Sequence, residues 1–228
     1  MISGIVKYLA KKNDSLIVSY KALRRLIGIM GILLPIINIL GGCLIAKIPI
    51  QQSISMYYYT NMRDFFVGLM FVVSLFLITY KGYNTLDLIT SIITGAAGLG
   101  VAIFPCFSEL YIGQKVGIFQ LSPDTSFIVH LTCAALFFVL LAFTSIFLFT
   151  QKHKDSNRVT SQKKKRNVIY VVCGVLMLAC VLGILVSILI LTKQQIYDSK
   201  IILVFESIAL FSFGVSWLVK GETLFRDK

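Results

Sequence analysis

The chain has 228 residues, of which 57% are hydrophobic and only 14% charged, with a mean hydropathy of +0.85. A soluble domain carries about 25% charged residues, so this composition excludes an ordinary water-soluble globule and points to apolar stretches of about 20 residues that can cross a bilayer. The net charge of +12 does not indicate a nucleic-acid partner, because the 22 Lys and Arg residues sit between apolar blocks and no basic run has interleaved aromatics.

Residues 1–20 read as an interfacial arm. Ile2, Ile5, Val6 and Leu9 recur at i, i+3, i+4 and i+7, the spacing of one helical face lying in a membrane interface. A frayed arm fits the same length equally well. Lys7, Lys11 and Lys12, with no long apolar run among them, argue against a cleavable signal.

Six spans follow, at about 26–46, 64–81, 87–108, 125–151, 167–192 and 200–220. Pro35 should kink the first. The second holds only 16 uncharged residues, Phe65 to Tyr80, or about 24 Å of helix against a hydrocarbon core of about 30 Å. Asp64, Lys81 or both must therefore lie near the boundary. Thr60 or Asn61 is placed to cap this helix, with Asp64 in its first turn.

In the third span Ser91, Gly95, Ala96, Gly98 and Gly100 form a small-residue surface on which a neighbouring helix can approach closely. A loop with Glu109, Lys115, Pro123 and Asp124 leads to the fourth span, uncharged apart from His130. The basic loop 152–166 follows, then the fifth span, and a sixth that contains Glu206.

Cytoplasmic loops retain Lys and Arg. With the N-terminus inside, cytoplasmic segments hold 17 of the 22 cations. The expected fold is all-α: a single polytopic helix bundle over residues 1–228, with six transmembrane helices and both termini cytoplasmic. Five Cys lie in or beside apolar segments without a CxxC pair, and read as packing residues.

Ionisable groups within spans are costly in lipid and face a bundle interior or a wet cavity. Asp64, His130 and Glu206 all fall toward the external side, whereas the cytoplasmic half has no ionisable residue mid-span. Beside them, the connection Ser53 to Asp64 is dense in hydroxyls and aromatics. Ser55, Tyr58, Arg63, Asp64, His130 and Glu206 are thus the candidate lining of an external polar pocket for a lipid or small amphiphile. Four have a structural alternative: an interfacial belt for Tyr58 with its neighbouring tyrosines, a boundary ion pair for Arg63 and Asp64, and an interhelical hydrogen bond for His130; Glu206, a carboxylate deep in a span, needs a partner or a proton.

Asp64, His130 and Glu206 could also hold zinc, which accepts imidazole and carboxylate ligands with water in a fourth position. Ser55, His130 and Asp64 supply the residue types of a hydrolase triad, although no nucleophile-elbow motif flanks the serine. The run Lys163-Lys164-Lys165-Arg166 pins topology or meets anionic lipid headgroups.

The six-helix plan, the segment Arg63-Asp64-Phe65-Phe66-Val67-Gly68, the Phe104-Pro105 end of the third span and His130 opening the fourth resemble uncharacterised bacterial six-helix membrane proteins, similar in layout to the Frag1/DRAM/Sfk1 group. The resemblance implies residence in a bacterial inner membrane, with membrane lipids as partners. Ser55, Asp64 and His130 are also similar in type and order to ceramidase and progestin-receptor-like membrane hydrolases, though the late HxxxH pair and the seventh helix are missing. That likeness implies a zinc-dependent hydrolase of a lipid amide or ester as the alternative function. A channel or transporter hinged at Pro35 and the third-span glycines is the second alternative.

Overall fold

The computed structural model describes residues 20–82, 84–151, 160–223 and 225, and no β-strand occurs among them. The amphipathic arm expected over the first residues, and His153 with the rest of 152–159, lie outside the described residues. Among the described residues, besides the 3₁₀ turns Ser55–Tyr59 and Glu109–Tyr111, there are six long helices and one short one: α1 (Tyr20–Leu44), α2 (Arg63–Thr79), α3 (Thr85–Ile103), α4 (Pro123–Leu148), α5 (Ser161–Ile190), α6 (Lys193–Ser199) and α7 (Ile201–Lys220). Five of these, α1, α3, α4, α5 and α7, are long and apolar enough to cross a membrane. Helix α2 has 17 residues, about 26 Å at 1.5 Å per residue, which agrees with the short second apolar stretch.

Local chemistry sets most helix starts. Asn84 accepts from Asp87 N at the start of α3, and Ser122 accepts from Thr125 N with Pro123 in the first turn of α4. Thr192 and Gln195 form a reciprocal capping box on α6. The chain then reverses into α7 through Lys200, which adopts φ 53°.

Two starts differ from the sequence reading. The residue capping α2 is Met62, whose side chain makes no cap bond. The Thr60 hydroxyl instead accepts from Met62 N at 3.1 Å, so it orders the turn before the helix. In α5, Thr160 accepts from Lys163 N at 3.0 Å. That cap starts the helix within the basic loop, and Lys163 to Arg166 are helical rather than loop.

Pro35 has no amide hydrogen to give, and a π-helical turn, Ile37–Gly41, follows it within α1. A second π turn, Thr144–Leu148, ends α4.

The long helices alternate in direction. Connections 45–62, 104–122 and 191–200 meet at what we call the loop end, where Leu203 N donates to Gln52 O at 2.9 Å and Tyr59 stacks on Tyr111. The start of α1, the end of α2, the start of α3, the start of α5 and the end of α7 meet at the basic end. There Arg25 Nε donates to Gly221 O at 2.9 Å and Lys163 Nζ to Phe149 O at 2.8 Å.

Glycines set the tightest crossings. A Cβ on Gly214 of α7 would stand 2.7 Å from Gly28 O of α1, and one on Gly28 would meet Gly214 O at the same distance. In α3 a Cβ on Gly95 would lie 2.5 Å from Ser74 O of α2, and one on Gly100 would lie 2.4 Å from Cys133 Sγ of α4. Neither backbone could approach so closely with a side chain between them. From the centre toward the basic end runs a train of rings, Phe137, Phe213, Trp217, Phe149 and Tyr170, with successive centroids 5.2–6.2 Å apart. All five Cys are free thiols.

Charge at the basic end is buried in a way the sequence reading did not address. Arg24, Asp87, Arg166 and Lys220 are only 7, 5, 8 and 8% exposed. Arg24 stands over the ring of Tyr80 and Lys220 over that of Phe149, while the Arg166 guanidinium donates to Phe225 O.

Candidate functional site

The connection 45–62 crosses the loop end and is held by α7. Glu206, just over a turn into that helix, accepts from the backbone N–H of Ile54 and, at 3.3 Å, from the Ser55 hydroxyl. Leu203 one turn earlier donates to Gln52 O. These contacts seat a 3₁₀ turn, Ser55–Tyr59, over the mouth of the bundle.

Beneath this turn lies a cavity of about 30 Å³ lined by Leu34, Phe66, Val101, Phe137 and Leu210, with Ser55 and Glu206 as its polar wall. It has room for a water-sized guest and no more.

Above and beside the turn lies an open cleft of about 420 Å³. Tyr58, Tyr59 and Thr60 form one wall; Tyr111, Lys115 and Gln120, from the connection after α3, form the other; Arg63 stands at the head of α2. The Arg63 guanidinium donates to Tyr58 Oη at 2.7 Å and sits 4.3 Å from the centre of that ring, a cation held against an aromatic face. Tyr59 stacks on Tyr111 with centroids 4.7 Å apart and donates to Cys106 O at 2.8 Å. Burial above all, with Cys106 nearby, pushes its phenol above the ordinary tyrosine value, so the hydroxyl remains a donor. Two cations, Arg63 and Lys115, line the cleft, and no carboxylate does.

The six residues singled out on the sequence therefore separate. Ser55 and Glu206 belong to the small cavity, Tyr58 and Arg63 to the open cleft. Asp64 is exposed and makes no ion pair with its neighbour Arg63, whose side chain turns to Tyr58. The boundary ion pair is not formed. The tyrosines are not a lipid-facing belt either, since Tyr57 and Tyr58 are buried.

His130 lies 2.7 Å through Nδ1 from Phe104 O. A carbonyl only accepts, so Nδ1 carries the proton. With Ser126, which donates to Pro105 O at 2.8 Å, it ties the end of α3 to α4, and it does not line the cavity. Among the described residues there is no group of three or more His, Cys, Asp or Glu side chains placed to hold a metal. Asp64, His130 and Glu206 are accordingly not brought together as one set of ligands.

Tyr111, Lys115 and Gln120 escaped the sequence reading as site residues. The signal present was the pair Gly113 and Gly117, which adopt φ +80° and +68° and fold that connection back on itself. A Cβ on Gly117 would stand 2.9 Å from Pro105 Cδ. The small antiparallel bridge of Val116 with Leu121 closes the fold-back.

Fold and cleft together define a class: an all-helical protein with several helices apolar enough to span a membrane, roofed at one end by ordered polar connections. No family model matches the chain, and comparison with curated proteins and with solved structures gives no match.

Proposed function

We propose that this chain is a six-span protein of a bacterial inner membrane, with both termini in the cytoplasm, whose external face binds a lipid or small amphiphilic ligand. The observation that carries the reading is the open cleft of about 420 Å³ at the loop end. Its volume falls within the range of about 300–1,000 Å³ typical of small-molecule sites. Its aromatic walls with a few polar and cationic groups suit a ligand that is part apolar and part charged. Helix α2 crosses as the sixth span with its ends drawn toward the interfaces, as short helices do through local bilayer thinning and anchoring side chains. The surplus of cations at the basic end supports a cytoplasmic position for that end and an external one for the cleft.

The test is ligand-dependent thermal stability of the purified protein across a panel of lipids and single-chain amphiphiles. The wild type is expected to gain stability with a subset of the panel. Filling the cleft by Thr60→Trp should abolish that gain, and Lys164→Ala, an exposed change at the basic end, should keep it. A gain that survives Thr60→Trp would reject the cleft as the site. Labelling of single cysteines introduced at Lys115 and at Lys164 from either side of a sealed vesicle tests the orientation, since the two must label from opposite faces.

A further inference from the structure

The chemical class of the ligand follows from three features of the loop end, on the reading that the cleft is the binding site. The first is charge. Of the groups lining the cleft, Arg63 and Lys115 are cationic and none is acidic. A guanidinium has five N–H donors, and Arg63 spends one of them on Tyr58. Lys115 makes no hydrogen bond or ion pair among the described residues. Glu109, the carboxylate nearest in sequence, is engaged elsewhere, 3.2 Å from Lys193 Nζ. Two uncompensated cations facing one cleft favour an anion, and the planar fork of Arg suits a phosphate in particular.

The second is what surrounds the cleft. The connection that supplies Tyr111, Lys115 and Gln120 also carries Leu110, Ile112, Ile118 and Phe119, and these are 82, 64, 78 and 59% exposed. Exposing four large apolar side chains to water on one short loop is unfavourable. At a membrane boundary the same side chains enter the acyl region while the polar residues between them stay in the headgroup layer. The wall of the cleft then stands among lipid headgroups.

The third is depth. The cavity below the cleft, about 30 Å³ in volume, cannot take an acyl chain. A ligand in the cleft must keep its chains outside the bundle, as a membrane lipid does when only its headgroup is bound.

We propose that the cleft is a site for the anionic, phosphate-bearing headgroup of an external-leaflet lipid. Arg63 and Lys115 hold the phosphate, Tyr58, Tyr59 and Tyr111 wall the rest of the headgroup, and the Leu110, Ile112, Ile118 and Phe119 loop rests against the chains. A free phosphate ester would satisfy the cations but not that loop.

The experiment uses the full-length protein in nanodiscs and native mass spectrometry, with phosphatidylglycerol, phosphatidylcholine and a neutral glycosyl diacylglycerol as competing lipids and glycerol phosphate as the soluble control. Phosphatidylglycerol should be retained over the other two lipids, and glycerol phosphate should not displace it. Arg63→Ala and Lys115→Glu should each weaken that preference by about tenfold or more, the loss of one charge-assisted contact. Both residues are exposed; Lys115→Glu removes no core contact, and Arg63→Lys, which keeps a cation against the Tyr58 ring, should retain more of the preference than Arg63→Ala. Lys164→Ala should leave the preference intact.

Retention of all three lipids alike, sensitive to Thr60→Trp, would overturn the anionic assignment and leave the cleft as the site. Displacement by glycerol phosphate would reassign the cleft to a soluble phosphate ester. Lipid retention indifferent to Arg63→Ala, Lys115→Glu and Thr60→Trp together would overturn both this inference and the site.

Discussion

The two ends of the bundle use the same pairing of cation with aromatic ring and put it to opposite ends. At the basic end, Lys220 Nζ stands 4.8 Å from the Phe149 centroid and Arg24 Cζ 5.5 Å from that of Tyr80, all of them buried. At the loop end, Arg63 Cζ stands 4.3 Å from the Tyr58 centroid, with the guanidinium exposed on an open cleft. Carboxylates account for the difference. Asp87 is buried within electrostatic reach of Lys220, as are Arg24, Lys163 and Arg166, and the basic end is a closed plug. At the loop end Glu206 is occupied with the backbone of Ile54 and the hydroxyl of Ser55, Glu109 pairs with Lys193, and Asp64 makes no ion pair with Arg63, so no acid among the described residues lines the cleft and the loop end stays a site.

The strongest way to break this comparison is to remove one carboxylate from each end. Asp87→Asn leaves the buried Lys220 without a nearby acid, and removing one partner of a buried charge pair costs about 3–5 kcal/mol. Asp64→Asn, at an exposed position with no ion pair to Arg63, should stay within about 0.5 kcal/mol of wild type. Denaturant or thermal unfolding in detergent micelles measures both. Equal losses would show that the plug is not held together by Asp87.

Glu206 should give a smaller effect with a local address. A hydrogen bond to a charged group contributes about 1.5–3 kcal/mol, and Glu206→Ala removes the acceptor from Ile54 and Ser55. The stability loss should fall in that range, with faster hydrogen exchange at the amides of residues 52–58 and none of that change at the basic end. Glu206→Gln keeps a carbonyl acceptor and should lose less. An unchanged exchange rate at Ile54 would mean that Glu206 does not hold the connection, leaving Leu203 as its tie to α7.

The architecture was legible because its cause is written into single stretches. Runs of uncharged residues gave the apolar helices, and the deficit between Phe65 and Tyr80 foretold the short α2. The small residues of α3 announced close packing before any partner was known. Gly28 and Gly214 carry the same message, but they lie 186 positions apart, and nothing local says that they meet.

The site was half legible for a related reason. Tyr58 and Arg63 are neighbours on one connection, so their density showed. Tyr111, Lys115 and Gln120 become their partners only when a second connection folds back through Gly113 and Gly117. Depth alone grouped Asp64 and His130 with Glu206, but shared depth does not fix azimuth around a bundle, and the three side chains turn to different neighbours. The burial of Arg24, Asp87, Arg166 and Lys220 was hidden likewise, since a boundary residue on a sequence becomes interior once four helix ends converge.

Tyr59 offers the finest test of the loop end, because its ring and its hydroxyl do different things. The ring stacks on Tyr111 and so joins the two connections that wall the cleft; the hydroxyl donates to Cys106 O. Tyr59→Phe removes only the second contact and leaves a carbonyl without that donor, at a cost of about 1 kcal/mol. Tyr59→Ala removes both, and the loss of a stacked pair adds about 0.5–1.5 kcal/mol beyond lost area. If the cleft is built by stacking, Tyr59→Phe should retain lipid binding with a slightly lower melting temperature, while Tyr59→Ala should lose binding as well. Equal binding loss in the two variants would move the essential contact from the ring to the hydroxyl, and the wall of the cleft would then depend on the end of α3 rather than on Tyr111.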